Sequence, residues 1–93
     1  MTAYAIVTVT VDNPETFENY RAKAPEAMAR HKAEAVAVSR EAQVIEGKGP
    51  APDVAVILSF PDRDHALAWI NDPEFAHVHA LREASGRSQV VLL

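Results

Sequence analysis

The chain alternates short apolar runs with amphipathic segments, and the periods of both are those of regular secondary structure. Tyr4 to Val11 alternates in polarity and is rich in β-branched residues, which predicts a strand. Asp12 or Asn13 can cap a helix whose first position is Pro14, since proline suits the first helical turn. We therefore predict a strand followed closely by a helix.

The first predicted helix carries an apolar stripe that ends in a histidine. Its members recur at spacings of three and four residues and are Phe17, Tyr20, Ala24, Met28 and His31. Pro25 interrupts this stretch and should kink or restart the helix, because it lacks the amide donor. The direction in which His31 faces depends on how the helix passes Pro25.

Two extended segments follow. Ala35 to Glu46 is extended around a polar centre, Ser39-Arg40-Glu41, which predicts a bulge or an edge strand before the strand resumes. Val54 to Phe60 is apolar on both faces except at Ser59, which is typical of a central strand. Residues 47–52 between them are rich in glycine and proline and predict a turn.

A second helical region divides in two at Asn71-Asp72-Pro73, because proline there can end one helix and begin another. The predicted inward positions are Ala66, Trp69 and Ile70 in its first half and Phe75, Val78, His79 and Arg82 in its second. Gly86 can end the second half, and Gln89 to Leu93 predicts a closing strand. The order β-α-β-β-α-β predicts an α+β protomer of the ferredoxin-like kind with an antiparallel sheet.

In a ferredoxin-like protomer the helices cover one face of the sheet and leave the other open. Here the first and third strands are apolar on both sides, and each large aliphatic side chain left in water forgoes about 1.5–3 kcal/mol. We therefore predict a two-fold homodimer that forms through the open sheet face.

Composition narrows the class of protein. The 93 residues suit one domain, residues 1–93, with 48% hydrophobic and 24% charged residues. The net charge is −4 and the nine basic residues form no run, which argues against a nucleic-acid partner. There is no cysteine, no apolar run of about 20 residues and no charged leader, so we expect a cytoplasmic protein without a membrane partner.

The ordered motifs resemble those of a bacterial family, domain-of-unknown-function family 1330 of the dimeric α+β barrel superfamily. The resemblance covers nearly the whole chain and rests on Asp12-x-Pro14-x-x-Phe17-x-x-Tyr20, Val44-Ile45-Glu46-Gly47, Phe60-Pro61, Ala68-Trp69, Asp72-Pro73-Glu74-Phe75 and Leu81-Arg82. It implies a barrel of two sheets and a small cavity between each sheet and its helices. Relatives in the superfamily include cofactor-independent monooxygenases, muconolactone-isomerase-like proteins and haem-degrading enzymes, so the resemblance implies no single reaction.

The chain departs from the family pattern at four places. Lys32-Ala33 stands where members usually have Gly-Gly, and Val38-Ser39-Arg40 stands where they have Arg followed by Gly-Gly. Ser59 replaces the usual Glu before Phe-Pro, and Phe75 replaces the usual Tyr. Losing an Arg and a Glu that could pair should make the cavity more apolar and weakens an inherited acid–base role.

Candidate chemistry concentrates on the last predicted helix. His77 and His79 point about 200° apart, so they do not bind one metal ion, and no other ligand set favours a metal site. Only 6% of residues are aromatic, which is few for the walls of a flavin or haem site. We therefore expect no cofactor. His79 faces inward and is either a proton carrier or a histidine satisfied by a carbonyl group or Arg82. Arg82 is a clamp for an anion, part of a structural ion pair with Glu41 or Glu46, or a side chain that extends to water.

The sequence is compatible with three functions. The first is a small-molecule-binding dimer whose site is formed by Tyr20, His31, Trp69, His79 and Arg82 and takes a small apolar or weakly anionic ligand. The second is a cofactor-independent monooxygenase or isomerase-like enzyme with His79 and Arg82 as catalytic candidates. The third is a structural or interaction dimer without a ligand.

Overall fold

A computed structural model describes residues 1–93 as one antiparallel sheet with helices on one face. In chain order the elements are β1 (Ala3–Val11), α1 (Pro14–Arg30), β2 (Glu34–Ser39), β3 (Val54–Phe60), α2 (Arg63–Asn71), a 3₁₀ turn (Pro73–Phe75), α3 (Ala76–Ala84) and β4 (Gly86–Leu92). The strand order is β2-β3-β1-β4. The α+β, ferredoxin-like prediction and the division of the second helical region are confirmed. No helix combines the length and the apolar character that a membrane span requires.

The second strand is shorter than its sequence predicts. β2 ends at Ser39, and residues 40–53 form no strand, so the predicted continuation to Glu46 is wrong. β2 pairs only with β3, and Ser39 already lies opposite Ala55, next to the first residue of β3. Residues beyond Ser39 therefore have no ladder partner. The bulge lies between Ala35 and Ala37 instead of in the polar segment that follows.

The first helix begins as predicted and is continuous. The Asn13 side chain accepts a hydrogen bond from the Thr16 amide at 3.1 Å, and Pro14 occupies the first turn. The helix runs through Pro25 to Arg30, so of the two predicted alternatives, a kink or a restart, the restart is wrong. Proline has no amide hydrogen, so a helix that continues past it gives up one backbone hydrogen bond, to the carbonyl group four residues earlier.

A Schellman motif ends α1. The Ala33 amide donates to the Met28 carbonyl group at 2.9 Å, and the Lys32 amide donates to the Ala29 carbonyl group at 3.3 Å. Lys32 adopts a φ of 57°, which is the left-handed conformation that this motif usually assigns to glycine. The motif turns the chain directly from α1 into β2.

A close approach between β1 and β4 fixes the end of α3. Gly86 pairs with Val11, and a Cβ atom at Gly86 would lie 1.9 Å from the carbonyl oxygen of Thr10. The Ser85 carbonyl group accepts hydrogen bonds from the amides of Asp12 and Asn13 at 2.8 and 2.9 Å. The start of α1 is therefore tied to the end of α3.

The core lies between the sheet and the helices. β1 turns alternate residues inward, and those of β3 lie directly opposite, so that Val7 faces Val56 and Ala5 faces Leu58. Trp69 of α2 packs on Phe60 with ring centroids 5.5 Å apart, and both side chains are buried. α1 packs closely on α3, and its Phe17 and Ala27 side chains join the core over the sheet. This arrangement leaves a gap between α1 and the β2 side of the sheet.

Candidate functional site

The gap under α1 is a cavity of about 270 Å³. Fourteen of its 18 lining residues are hydrophobic, so its surface favours apolar ligands. The lining residues are Val7, Val9, Phe17, Tyr20, Arg21, Ala24, Pro25, Ala27, Met28, Ala35, Val38, Arg40, Val54, Val56, Leu58, Trp69, Val78 and His79. An engineered apolar cavity of about 150 Å³ already holds benzene, so this volume suits a molecule of one or two rings.

The cavity is formed by small side chains at the places where α1 and β2 face each other. Ala24 on α1 and Ala35 on β2 fill less space than larger aliphatic residues would. Val38 belongs to the lining and is 64% exposed, and Ala35 is exposed as well. The cavity therefore opens toward the β2 edge of the sheet.

His79 forms part of the inner wall and is held on both ring nitrogens. Its Nε2 lies 3.0 Å from the Trp69 carbonyl oxygen, and its Nδ1 lies 3.0 Å from Nη1 of Arg82. Because a guanidinium can only donate and a carbonyl group can only accept, the ring is neutral with its proton on Nε2. Burial lowers the pKa of His79 below its ordinary value; the Trp69 carbonyl group opposes the shift and the Arg82 charge adds to it.

Arg82 lies behind this wall and has no carboxylate partner. The residue is 3% exposed, and its Nε donates to Oγ of Ser88 at 3.1 Å. Its guanidinium carbon is 5.7 Å from the Tyr20 ring centroid and 5.9 Å from that of Trp69, which permits cation–π attraction. The ion pairs predicted with Glu41 or Glu46 are absent, because those residues belong to the segment that leaves the sheet after β2.

His31 is the C-cap of α1 and binds to the turn before α3 instead of lining the cavity. Its Nε2 lies 2.7 Å from Oδ2 of Asp72, and both side chains are largely buried. The bond to His31 is the main cause that lowers the pKa of Asp72, and the Glu74 amide lowers it further. This contact fixes the end of α1 against the second helical region.

The structure thus brings three of the five predicted site residues into one lining, namely Tyr20, Trp69 and His79. Arg82 stands behind that lining, and His31 lies at the end of α1, bonded to Asp72. Arg21 and Arg40 line the cavity near its opening but were not among the site residues predicted from the sequence. Arg21 follows Phe17 by four residues on the same helix, and this spacing is the signal that would have identified it.

Two residues at the positions that depart from the family pattern, Ser39 and Ser59, point away from the cavity. Val38 does line the cavity, as predicted from the sequence. Ser39 pairs with Ala55, and Ser59 pairs with Tyr4, which places both serines on the open face of the sheet. The expectation that losing a Glu at Ser59 makes the cavity more apolar is therefore wrong, because successive strand residues point to opposite faces.

The other titratable side chains serve local structure. His77 is exposed while His79 is buried, which confirms that they occupy different faces of α3. Asp62 caps α2, and its pKa is lowered chiefly by the hydrogen bond from the His65 side chain and then by the bond from the His65 amide. No three His, Asp or Glu side chains converge in the way that a metal ion requires.

The fold and the cavity define a ferredoxin-like α+β protein with an apolar chamber between its sheet and its helices. The chain belongs to the family described as Domain of unknown function (DUF1330), whose pattern matches residues 2–93. No curated protein matches the chain.

Solved structures share the fold at low sequence identity. A protein of unknown function from Rhodopseudomonas palustris has a TM-score of 0.81 at 16% identity, with 99% of this chain and 80% of that chain covered. SnoaB, a cofactor-independent oxygenase from Streptomyces nogalater, has a TM-score of 0.72 at 18% identity, with 99% and 90% covered. A dimeric ferredoxin-like protein of unknown function from Jannaschia sp. CCS1 has a TM-score of 0.69 at 15% identity, with 100% and 98% covered. These likenesses establish the fold alone.

Proposed function

We propose that this protein binds a small, largely apolar molecule in the cavity between α1 and the sheet. The observation that carries the proposal is the 270 Å³ chamber with its predominantly hydrophobic lining. Tyr20, Trp69 and His79 contact the ligand, while Arg82 holds His79 from behind and His31 fixes the end of α1 to Asp72. Because both ring nitrogens of His79 already have partners, its role in the cavity is to provide shape and polarity.

The proposal includes a homodimer that forms through the open sheet face. One apolar row crosses this face, because Ile6 lies opposite both Ile57 and Val91, and Ala37 lies opposite Ile57. Ile57 and Val91 are 38% and 42% exposed in the single chain, so a partner sheet would remove them from water. The dimeric ferredoxin-like proteins of similar fold support this arrangement.

Ligand binding is tested by filling the chamber. Ala24→Phe places a ring in the lining, whereas Ala22→Phe makes the same change on an exposed position of α1. Small ring compounds are screened by thermal shift, in which a ligand at about 100 times its Kd adds about 2.7 kcal/mol to the stability. We expect the shift in wild type and Ala22→Phe but not in Ala24→Phe. A screen without any binder, or equal binding by both variants, would remove the proposal and favour a structural dimer.

A cofactor-independent monooxygenase or isomerase-like activity is the second candidate. The shared fold with the oxygenase SnoaB and the presence of His79 in the cavity lining favour it. In that case His79 must exchange a proton with the ligand, which requires one of its two hydrogen bonds to break. His79→Ala should then lower turnover at least about 100-fold with ligand binding retained. Unchanged turnover would exclude His79 as the proton carrier.

A further inference from the structure

The charged residues of the cavity lining are all basic. Arg21 and Arg40 belong to the lining, and no Asp or Glu does, although the whole chain carries a net charge of −4. The other ionisable groups there are Tyr20 and the neutral ring of His79. Behind the inner wall stands the buried guanidinium of Arg82, which has no carboxylate partner. The surface of the chamber is therefore mostly apolar, and the charged groups that line it are positive.

Both arginines at the opening share one weak partner. Nη1 of Arg21 donates to the two carboxylate oxygens of Glu18 at 3.0 and 3.1 Å, and Nη2 of Arg40 lies 3.8 Å from the same carboxylate. The three side chains are 53% to 60% exposed, so water screens these ion pairs. One carboxylate leaves two guanidinium groups incompletely neutralised, and because exposed ion pairs contribute little, an incoming anion can displace it.

We propose that the ligand is an amphipathic monocarboxylate whose hydrocarbon part fills the chamber and whose carboxylate binds between Arg21 and Arg40, in place of Glu18. This inference rests on the proposed function and names its ligand class. Arg40 is also anchored over the Phe17 ring, with its guanidinium carbon 5.6 Å from the ring centroid. That contact holds one arginine at the junction of the apolar lining and the solvent, where a carboxylate attached to a buried ring would lie.

Matched pairs of compounds test the ligand class. The probes are cyclohexylacetate against 2-cyclohexylethanol, 1-naphthylacetate against 2-(1-naphthyl)ethanol, and octanoate against octanol, measured by calorimetry at pH 7.5. Each pair shares one carbon skeleton. At low salt we expect the acid of the best-fitting skeleton to bind roughly fivefold or more tightly than its alcohol, with a smaller preference at high salt.

Four variants assign the preference to the opening of the chamber. Arg21→Gln and Arg40→Gln should each reduce the ratio of acid to alcohol affinity, and Glu18→Gln should increase it because the competing carboxylate is gone. Lys23→Gln removes a charge from the same helix outside the lining and should leave the ratio unchanged. Equal affinity of acid and alcohol would overturn the carboxylate inference and leave the binding function standing. If no probe of either kind binds, both the inference and the proposed function fail.

Discussion

At the scale of single residues, His79 and Arg82 form one unit. The helical spacing in the sequence predicted that both face inward, and both are buried. The sequence also left open whether Arg82 satisfies His79, and the 3.0 Å contact between Nη1 and Nδ1 answers this question. It could not indicate that Arg82 lacks a carboxylate, since that depends on the path of residues 40–53 after β2.

The buried neutral ring of His79 predicts a dependence of stability on pH. Its pKa is lowered in the folded chain, so the unfolded chain takes up a proton near pH 6.5 while the folded chain does so only at lower pH. The free energy of unfolding should therefore be highest above pH 6.5 and fall on acidification, by at most about 1.4 kcal/mol per pH unit from this group. Denaturant melts of wild type and His79→Gln between pH 7.5 and 5 measure this slope.

His79→Gln is the suitable comparison because glutamine can still accept from Arg82 and donate to the Trp69 carbonyl group but cannot titrate. We expect a shallower slope in the variant. Asp62 and Asp72 also have lowered pKa values, but their contribution is lost only below about pH 3.8, outside this range. Identical slopes in the two proteins would show that His79 does not carry the dependence.

At the scale of elements, the sequence predicted those features that local patterns determine. β3 has the predicted bounds, Val54–Phe60, because a run of aliphatic residues indicates a buried strand whatever its neighbours. The end of β2 was not predictable in the same way, since a strand ends where its partner ends. Arg40 was missed for a related reason: it follows the end of β2, and it reaches the chamber by lying over the Phe17 ring of α1.

The end of α1 provides a test at this scale. Lys32 holds the left-handed conformation, which costs a residue with a Cβ atom about 1–2 kcal/mol relative to right-handed backbone, and the family resemblance indicates Gly-Gly at residues 32–33. Lys32→Gly should therefore be more stable than Lys32→Ala by about 0.5–1 kcal/mol, after the greater freedom of glycine in the unfolded chain is included. Urea unfolding of both variants gives the difference.

A second glycine substitution controls for the residue itself. Lys23→Gly lies in the right-handed interior of α1 and should be less stable than Lys23→Ala by about 1 kcal/mol. If glycine is more stable than alanine at residue 32 but less stable at residue 23, the effect is due to the left-handed backbone of Lys32. If Lys32→Gly is no more stable than Lys32→Ala, the left-handed backbone there carries no strain.

At the scale of the whole molecule, the single chain is a slab with one broad side uncovered. Its extents are 32 × 30 × 16 Å, which is one helix layer on one sheet. The broad side is comparable in area with the roughly 800 Å² that each partner buries in a stable interface. An apolar row crosses the middle of that side and consists of Ala37, Ile57, Ile6 and Val91. Thr8 and Gln89 lie in the next row. An apolar centre with a polar border is the usual anatomy of a protein–protein interface.

A charge placed in this row should separate the proposed dimer. Ile57→Glu puts a carboxylate at the centre of the face, where a two-fold axis would bring the two copies of it close together without a compensating base. Leu67→Glu makes the same change at an exposed position of α2 and serves as the control. By light scattering at micromolar concentration, wild type and Leu67→Glu should have the mass of two chains and Ile57→Glu that of one.

The Ile57→Glu variant should retain its helical circular dichroism, because Ile57 already contacts solvent in the single chain. A dimeric Ile57→Glu protein would place the interface elsewhere, and a monomeric wild type would remove the dimer altogether.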